Sequence, residues 1–338
     1  MQNINNIRER APEVKEGEKQ PQIELWITRH ANRAPSGELV PEGVAAARAK
    51  GEAVDVEVFK GYSSLEQSDR AYKTLQAMSE ASGIKSPQTE GLYETRRRHG
   101  LYYDIAGPLE PRVKAQTKII NETVKKDYPD FDPKSSDPKW GEIRERYQPI
   151  GLRNILATDD ELVHIFAMGA AYQFNQMAEV ASRYTAKRER LAQADKAEAL
   201  DKNVILNEGT HGIFIESIFK KALIRKQLDG SEKKGFEAWV DNQGQPQLEQ
   251  SLGGIIEPTE SIKTQYTAGK SVPERLPVYF EKERFKGEQC FLDMEKIRLL
   301  ARQFKIYLWI LQDWQEDKIG EEEFTVKVDE LREEFNAE

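Results

Sequence analysis

The chain has 338 residues, of which 38% are hydrophobic, and this is enough to bury a sizeable core in one elaborated domain. Its 50 basic and 58 acidic residues give a net charge of −8, which argues against a general nucleic-acid binder. Cys290 is the only cysteine, so an intrachain disulfide is excluded and a reducing compartment is favoured. No segment is typical of a secretory signal or of a membrane span, and we expect a cytoplasmic protein.

A short apolar run near the start predicts the first element. Residues 23–28 favour β-structure, so we predict a buried strand after a disordered arm over residues 1–20. The strand releases Arg29, His30 and Arg33 into a loop. Arginine matches phosphate oxygens with a planar fork of donors, and a histidine nitrogen can carry a phosphoryl group. This pattern indicates an anion site beyond the carboxyl end of a strand.

The next segments predict a helix, a strand and a second helix. Pro41 and Gly51 bound the first helix, and alternating valines over residues 54–58 indicate a strand. Arg70 begins the second helix, whose apolar residues fall on one face. An arginine in a first helical turn opposes the helix dipole, so it indicates a bound anion.

The region after that helix holds the candidate acids. Glu94 follows another predicted strand-to-loop crossing and is our candidate for protonating a leaving group, with Asp104 and Glu208 as alternatives. Residues 96–99, with the sequence Arg-Arg-Arg-His, predict either a substrate contact or a solvated loop with ion pairs. Residues 105–200 predict a mostly helical insertion that covers the carboxyl edge of the sheet.

A second histidine repeats the context of the first. Residues 203–207 predict another short buried strand, and His211 follows shortly after it. If the two strands are parallel neighbours, the imidazoles of His30 and His211 converge at one edge, beside Arg70. With the arginines of the first loop, three guanidinium groups would offset the charge of a phosphoryl dianion and of its transition state.

The C-terminal part predicts a hairpin or edge strand over residues 243–265 and an apolar-rich helix over residues 291–314. Residues 306–314 are either core or an oligomer face, so a homo-oligomer stays open. We expect a loose acidic tail over residues 316–338. The predicted fold is therefore one α/β domain over residues 21–315, in three layers (α/β/α) with a mainly parallel sheet and a helical insertion.

Five short elements, in this order, resemble the histidine phosphatase superfamily, which has the phosphoglycerate-mutase-like fold. They are Arg29-His30-Ala31-Asn32-Arg33; Leu39-Val40-Pro41-Glu42-Gly43 before an alanine-rich helix; Ser63 or Ser64 before Arg70-Ala71-Tyr72-Lys73-Thr74; Leu92-Tyr93-Glu94; and Val204-Ile205-Leu206 before His211-Gly212. The resemblance spans residues 23–225 apart from the insertion. It implies neither a metal nor an organic cofactor.

The resemblance also implies roles for six residues. Its catalytic residues are His30 as phosphoryl acceptor, Glu94 as general acid and His211; its phosphate pocket adds Arg29, Arg33 and Arg70. The serine and tryptophan that follow the first motif in glycolytic mutases are absent, which favours a phosphatase. The residue after His211 is Gly212, which disfavours the acid-phosphatase and phytase branch, because that branch takes its proton donor from this position.

The function predicted from these residues is hydrolysis of a phosphomonoester through a phosphohistidine intermediate. Two alternatives remain: a non-catalytic protein of the same fold that binds a phosphorylated ligand, and a phosphomutase. The expected partner is a small phosphorylated substrate or a phosphoprotein, and neither nucleic acid nor a membrane is expected. Sugar phosphates, nucleotides and phosphoproteins all stay open as substrates.

Overall fold

The computed structural model places one large sheet between helices. The residues it describes are 22–31, 38–54, 56, 58–62, 70–83, 105–135, 137, 139–140, 143, 147, 151, 154–192, 203–239, 256, 259–267, 272–281, 285 and 287–337. Its strands are β1 (Gln22–Arg29), β2 (Val58–Tyr62), β3 (Val204–Thr210), β4 (Leu223–Lys226), β5 (Glu232–Lys234), β6 (Ser261–Thr267), β7 (Arg275–Phe280) and β8 (Gln289–Asp293). Its helices are α1 (Pro41–Glu52), α2 (Arg70–Ala81), α3 (Glu110–Asp127), α4 (Asp160–Ala192), α5 (Gly212–Ala222), α6 (Gly235–Trp239), α7 (Met294–Gln315) and α8 (Glu321–Ala337).

The described strands form a single sheet in the order β2-β3-β1-β6-β7-β8-β4-β5. β3 pairs in parallel with both β1 and β2, and the other five pairings are antiparallel. The α/β class is therefore confirmed, but the prediction of a mainly parallel sheet is wrong. The physical reason is connection length: fewer than ten residues separate β6 from β7 and β7 from β8, whereas a parallel pair needs a crossover of about a dozen residues or more.

Side chains of the central strands alternate between two packed faces. Trp26 and Ile205 pack against α1 and α2 on one face. Leu25, Ile27 and Leu206 lie on the other face, in a larger core with α4, α5 and α7. Because helices pack on both faces of β1 and β3, the carboxyl ends of these two strands are held in position.

Two strands differ from their predicted bounds. The strand predicted over residues 54–58 is instead β2, which begins at Val58. β3 continues to Thr210, through residues that usually favour turns. Asn207 is satisfied inside the sheet, since its Oδ1 accepts a 2.7 Å hydrogen bond from the Thr28 hydroxyl. Gly209 allows close approach of α2, because a Cβ there would lie 2.8 Å from a Leu75 carbon.

The acidic C-terminal part is not a loose tail. Its residues form α8, whose apolar side chains recur at helical spacing and are buried in the larger core: Phe324, Val328, Leu331 and Phe335. The helices predicted for residues 105–200 are present as α3 and α4. The predicted arm over residues 1–20, and residues 243–255 of the predicted hairpin, lie outside the described residues. None of the described helices has the length and apolar character needed to cross a membrane.

Candidate active site

The chain leaves β1 at His30, and contacts with β3 and α2 hold it there. The backbone N–H of His30 donates to the Thr210 carbonyl of β3 at 3.0 Å. The N–H of Ala31 donates to the Thr74 hydroxyl of α2 at 2.9 Å, and this hydroxyl donates to the Arg70 carbonyl at 2.7 Å. Thr74 therefore ties the loop after His30 to the first turn of α2.

The two histidines of the predicted site lie side by side. β1 and β3 pair in parallel with Arg29 opposite Thr210, so His30 and His211 are the next residues at the same edge. Their ring centroids are 4.6 Å apart and their planes meet at 70°. His30 is buried, with 3% of its surface exposed.

One hydrogen bond sets the tautomer of His30. Its Nδ1 lies 2.8 Å from the carbonyl oxygen of Ala31, which can only accept, so Nδ1 carries the proton. Burial lowers the pKa of His30 well below 6.5, and His211, Arg70 and Arg29 lower it further. The ring is therefore neutral at neutral pH, and the lone pair on Nε2 is available for nucleophilic attack.

Arg29 is packed between the start of α5 and a distant segment. Its Nη1 donates to the backbone carbonyl of Ile256. A Cβ on Gly212, the first residue of α5, would lie 3.3 Å from the Arg29 Nε. The guanidinium and the amino end of α5 thus lie together, and both favour an anion.

Arg70 begins α2, and its charge is one of the groups that lower the pKa of His30. This effect places its guanidinium within electrostatic reach of the ring. The structure therefore brings together four of the predicted site residues: Arg29, His30, Arg70 and His211. Arg33, Glu94, Asp104 and residues 96–99 lie outside the described residues, as do Ser63 and Ser64.

Glu208, one of the alternative acids, lies inside the sheet. It is 1% exposed, and neither carboxyl oxygen makes a hydrogen bond to any residue that the structure describes. Burial raises the pKa of Glu208 well above its ordinary value of 4.5. The protonated form is therefore favoured, but a general acid must also reach the leaving group, and this burial disfavours that role.

Two supports of the site were missed at the sequence level. The role of Thr74 could have been predicted, because Thr74 follows Arg70 by one helical turn and so lies on the same face of α2. The second support consists of Ile256, Thr259 and Glu260, which we call the strap. Ile256 lies 227 positions after Arg29 in the sequence, and no local sequence pattern predicts that the two residues meet. Among the described residues, no group of three or more His, Cys, Asp or Glu side chains is arranged to hold a metal ion.

Comparison with known proteins adds little to this geometry. The sequence matches no protein-family model and no curated protein. A similar solved structure is the phytase of Klebsiella sp ASR1, with 14% identity over 84% of this chain and 94% of that chain and a TM-score of 0.29. At that TM-score the similarity carries no argument about fold or function.

Proposed function

We propose that the protein is a phosphatase that hydrolyses a phosphomonoester through a covalent intermediate on His30. The observation that carries the proposal is a neutral imidazole that holds its proton on Nδ1 and packs against a second histidine, with Arg29 and Arg70 near enough to lower its pKa. A neutral nucleophile and fixed cations are the parts that phosphoryl transfer requires.

In the first step, Nε2 of His30 attacks phosphorus while the bond to the leaving oxygen breaks. The electron pair departs with that oxygen, which takes a proton from a general acid, and we assign this role to Glu94 from the sequence resemblance. The Ala31 carbonyl keeps the Nδ1 proton in place as the ring gains charge. Arg29 and Arg70 stabilise the charge on the phosphoryl oxygens.

In the second step, water attacks phosphorus and Nε2 leaves. The carboxylate formed in the first step accepts the proton of this water, so His30 and the acid both return to their starting states. We assign His211 a contact with the phosphoryl group in both steps, and the 4.6 Å between its ring centroid and that of His30 supports this assignment. No step requires a metal or an organic cofactor.

On the sequence resemblance, we propose that the chain belongs to the histidine phosphatase superfamily and to a branch that lacks the carboxylate after His211. Gly212 at that position packs against the Arg29 guanidinium, so a side chain there would press on Arg29. We propose a small phosphorylated compound or a phosphoprotein as substrate, and the cytoplasm as the location.

The proposal is tested with an aryl phosphate, assayed across pH without added metal and in the presence of a chelator. His30→Ala should lower kcat/KM on the order of 10³-fold or more, because the nucleophile is lost. Acid-labile, base-stable phosphate should be trapped on the wild type and not on this variant. Arg48→Ala is the control, since Arg48 forms an exposed ion pair with Glu80 on α1 and α2.

The outcomes separate the alternatives. Equal turnover in wild type and His30→Ala would reject the phosphohistidine route. Phosphate binding without turnover would indicate the non-catalytic binding protein. Transfer of the trapped phosphate to a second substrate rather than to water would indicate the phosphomutase.

A further inference from the structure

The strap holds Arg29 at three points. The Arg29 N–H donates to the Glu260 carbonyl at 3.0 Å, and the Thr259 N–H donates to the Arg29 carbonyl at 2.9 Å. The guanidinium Nη1 donates to the Ile256 carbonyl. The strap therefore determines both where the backbone of Arg29 lies and how its side chain is directed.

The strap itself needs support, because Thr259 has a φ of +66°. A β-branched residue in the left-handed region is strained, and such a conformation persists only where surrounding contacts hold it. Lys50, near the end of α1, supplies those contacts. Its Nζ donates to the Thr259 carbonyl, to the Ser261 hydroxyl at 3.0 Å and to Glu281 Oε2 at 2.6 Å.

The partners of Lys50 are also hydrogen-bonded to one another and to Thr28 of β1. Glu281 Oε2 also accepts the Ser261 N–H at 3.0 Å. The Ser261 hydroxyl lies 2.6 Å from that of Thr28, one residue before Arg29. The side chain of Lys50 is only 15% exposed, so water cannot readily replace these partners.

The residue after Lys50 packs against α2, the helix that begins at Arg70. A Cβ on Gly51 would lie 2.1 Å from the Met78 carbonyl oxygen, so the backbones of α1 and α2 are in direct contact here. α2 carries Arg70 and also Thr74, which holds Ala31. Neighbouring residues of α1 therefore contact the strap, through Lys50, and α2, through Gly51.

We propose that Lys50 is a positioning residue for the phosphate pocket. By holding Thr259 of the strap, it sets the position of the Arg29 guanidinium relative to His30. This inference rests on the proposed function, because a phosphate pocket gives the position of Arg29 its importance. Lys50 acts through the strap and is not itself a catalytic residue.

The test compares Lys50→Met with the wild type, using inorganic phosphate as a competitive inhibitor and an aryl phosphate as substrate. Lys50→Met keeps the apolar stem and removes all three hydrogen bonds. We expect the affinity for inorganic phosphate and kcat/KM to fall about tenfold or more, since small displacements at a reacting centre are costly. Lys50→Arg should recover part of the loss, and phosphate should still be trapped on His30.

Two further variants keep the test decisive. Arg48→Met, on the same helix and in an exposed pair, should leave both constants unchanged. Glu281→Gln weakens the hold on Lys50 without removing it, so it should shift phosphate affinity in the same direction and by less. It replaces Lys50→Met if that variant does not fold.

The failures of the two proposals are distinguishable. If wild type turns over through His30 but Lys50→Met and Glu281→Gln bind phosphate with unchanged affinity, the positioning role is overturned and the phosphatase stands. A lower unfolding midpoint with unchanged phosphate affinity also overturns it, because the residue is then only structural. If the wild type neither binds phosphate nor turns over, both proposals fail together.

Discussion

Glu208 offers the sharpest test of the structure, because a carboxyl group buried in the sheet makes the free energy of unfolding depend on pH. The side chain is 1% exposed, and within the described part of the chain both oxygens lack a hydrogen bond. Burial raises the pKa of Glu208 well above 4.5, so the folded protein keeps a proton that the unfolded chain releases.

The sign of the effect follows from proton linkage. Between the unfolded-state pKa and the raised folded-state pKa, the folded protein binds more protons than the unfolded chain. The free energy of unfolding therefore falls as pH rises, by about 1.4 kcal/mol per pH unit inside that window. The stabilising contribution is complete below the unfolded-state pKa and is lost as pH rises through the folded-state pKa.

Two substitutions separate the titration from the burial of a polar group. Glu208→Gln cannot titrate, so its free energy of unfolding should lack the decrease with pH that Glu208 causes. A buried polar amide remains in this variant. Glu208→Met removes the polar group as well. Its free energy of unfolding should exceed that of Glu208→Gln by about 1–3 kcal/mol, because no desolvated polar group is left unpaired. Urea denaturation from pH 5 to pH 8 at fixed ionic strength gives both quantities, provided that the m value is constant.

Exposed Glu52 supplies the matched control, since Glu52→Gln should leave the slope unchanged. The reasoning is refuted if wild type and Glu208→Gln lose stability with the same slope, or if Glu208→Met is clearly destabilised. Either result would mean that the carboxyl is ionised or has a partner. Loss of turnover for poor leaving groups in Glu208→Gln, with good leaving groups unaffected, would instead reassign the general acid to Glu208.

Three further predictions concern the site and the core. Because the pKa of His30 lies well below 6.5 and its neutral form attacks, the acid limb of kcat/KM should fall below pH 6.5; a limb above that value contradicts it. Thr74→Val leaves the Ala31 N–H and the Arg70 carbonyl without the hydroxyl, so it should lower stability by about 1–3 kcal/mol in urea denaturation and lower kcat, with Thr74→Ser restoring both. Phe335→Ala in α8 should cost about 3–5 kcal/mol by the same measurement, whereas a loose tail would show no change.

Much of the candidate site was predictable because its signals are local. An apolar run that ends in Arg29 and His30 is a strand with polar residues at its carboxyl end. A second such run before His211 predicts the same context, and parallel pairing of β1 and β3 brings the two rings together. The helix at Arg70 followed from its apolar spacing. Each of these predictions needed only neighbouring residues.

Some features were readable but were interpreted wrongly. Phe324, Val328, Leu331 and Phe335 recur at helical spacing, yet the charge of the segment favoured a loose tail. In the structure this apolar stripe closes the core, and the acidic residues form its outer side. Similarly, Asn207 and Gly209 looked like the end of a strand, but a hydrogen bond from Thr28 and the approach of α2 keep both inside the sheet.

The sequence by itself determined which side chains lie at the ends of the first strands and what chemistry they offer. The reason is that apolar spacing, and the residues that begin or end helices and strands, act over a few positions. Only the tertiary structure decided the antiparallel half of the sheet and the neutral state of His30. It also decided the strap that holds Arg29 from 227 positions away. Strand order, burial and desolvation depend on which distant segments meet, and that is settled by packing of the whole chain.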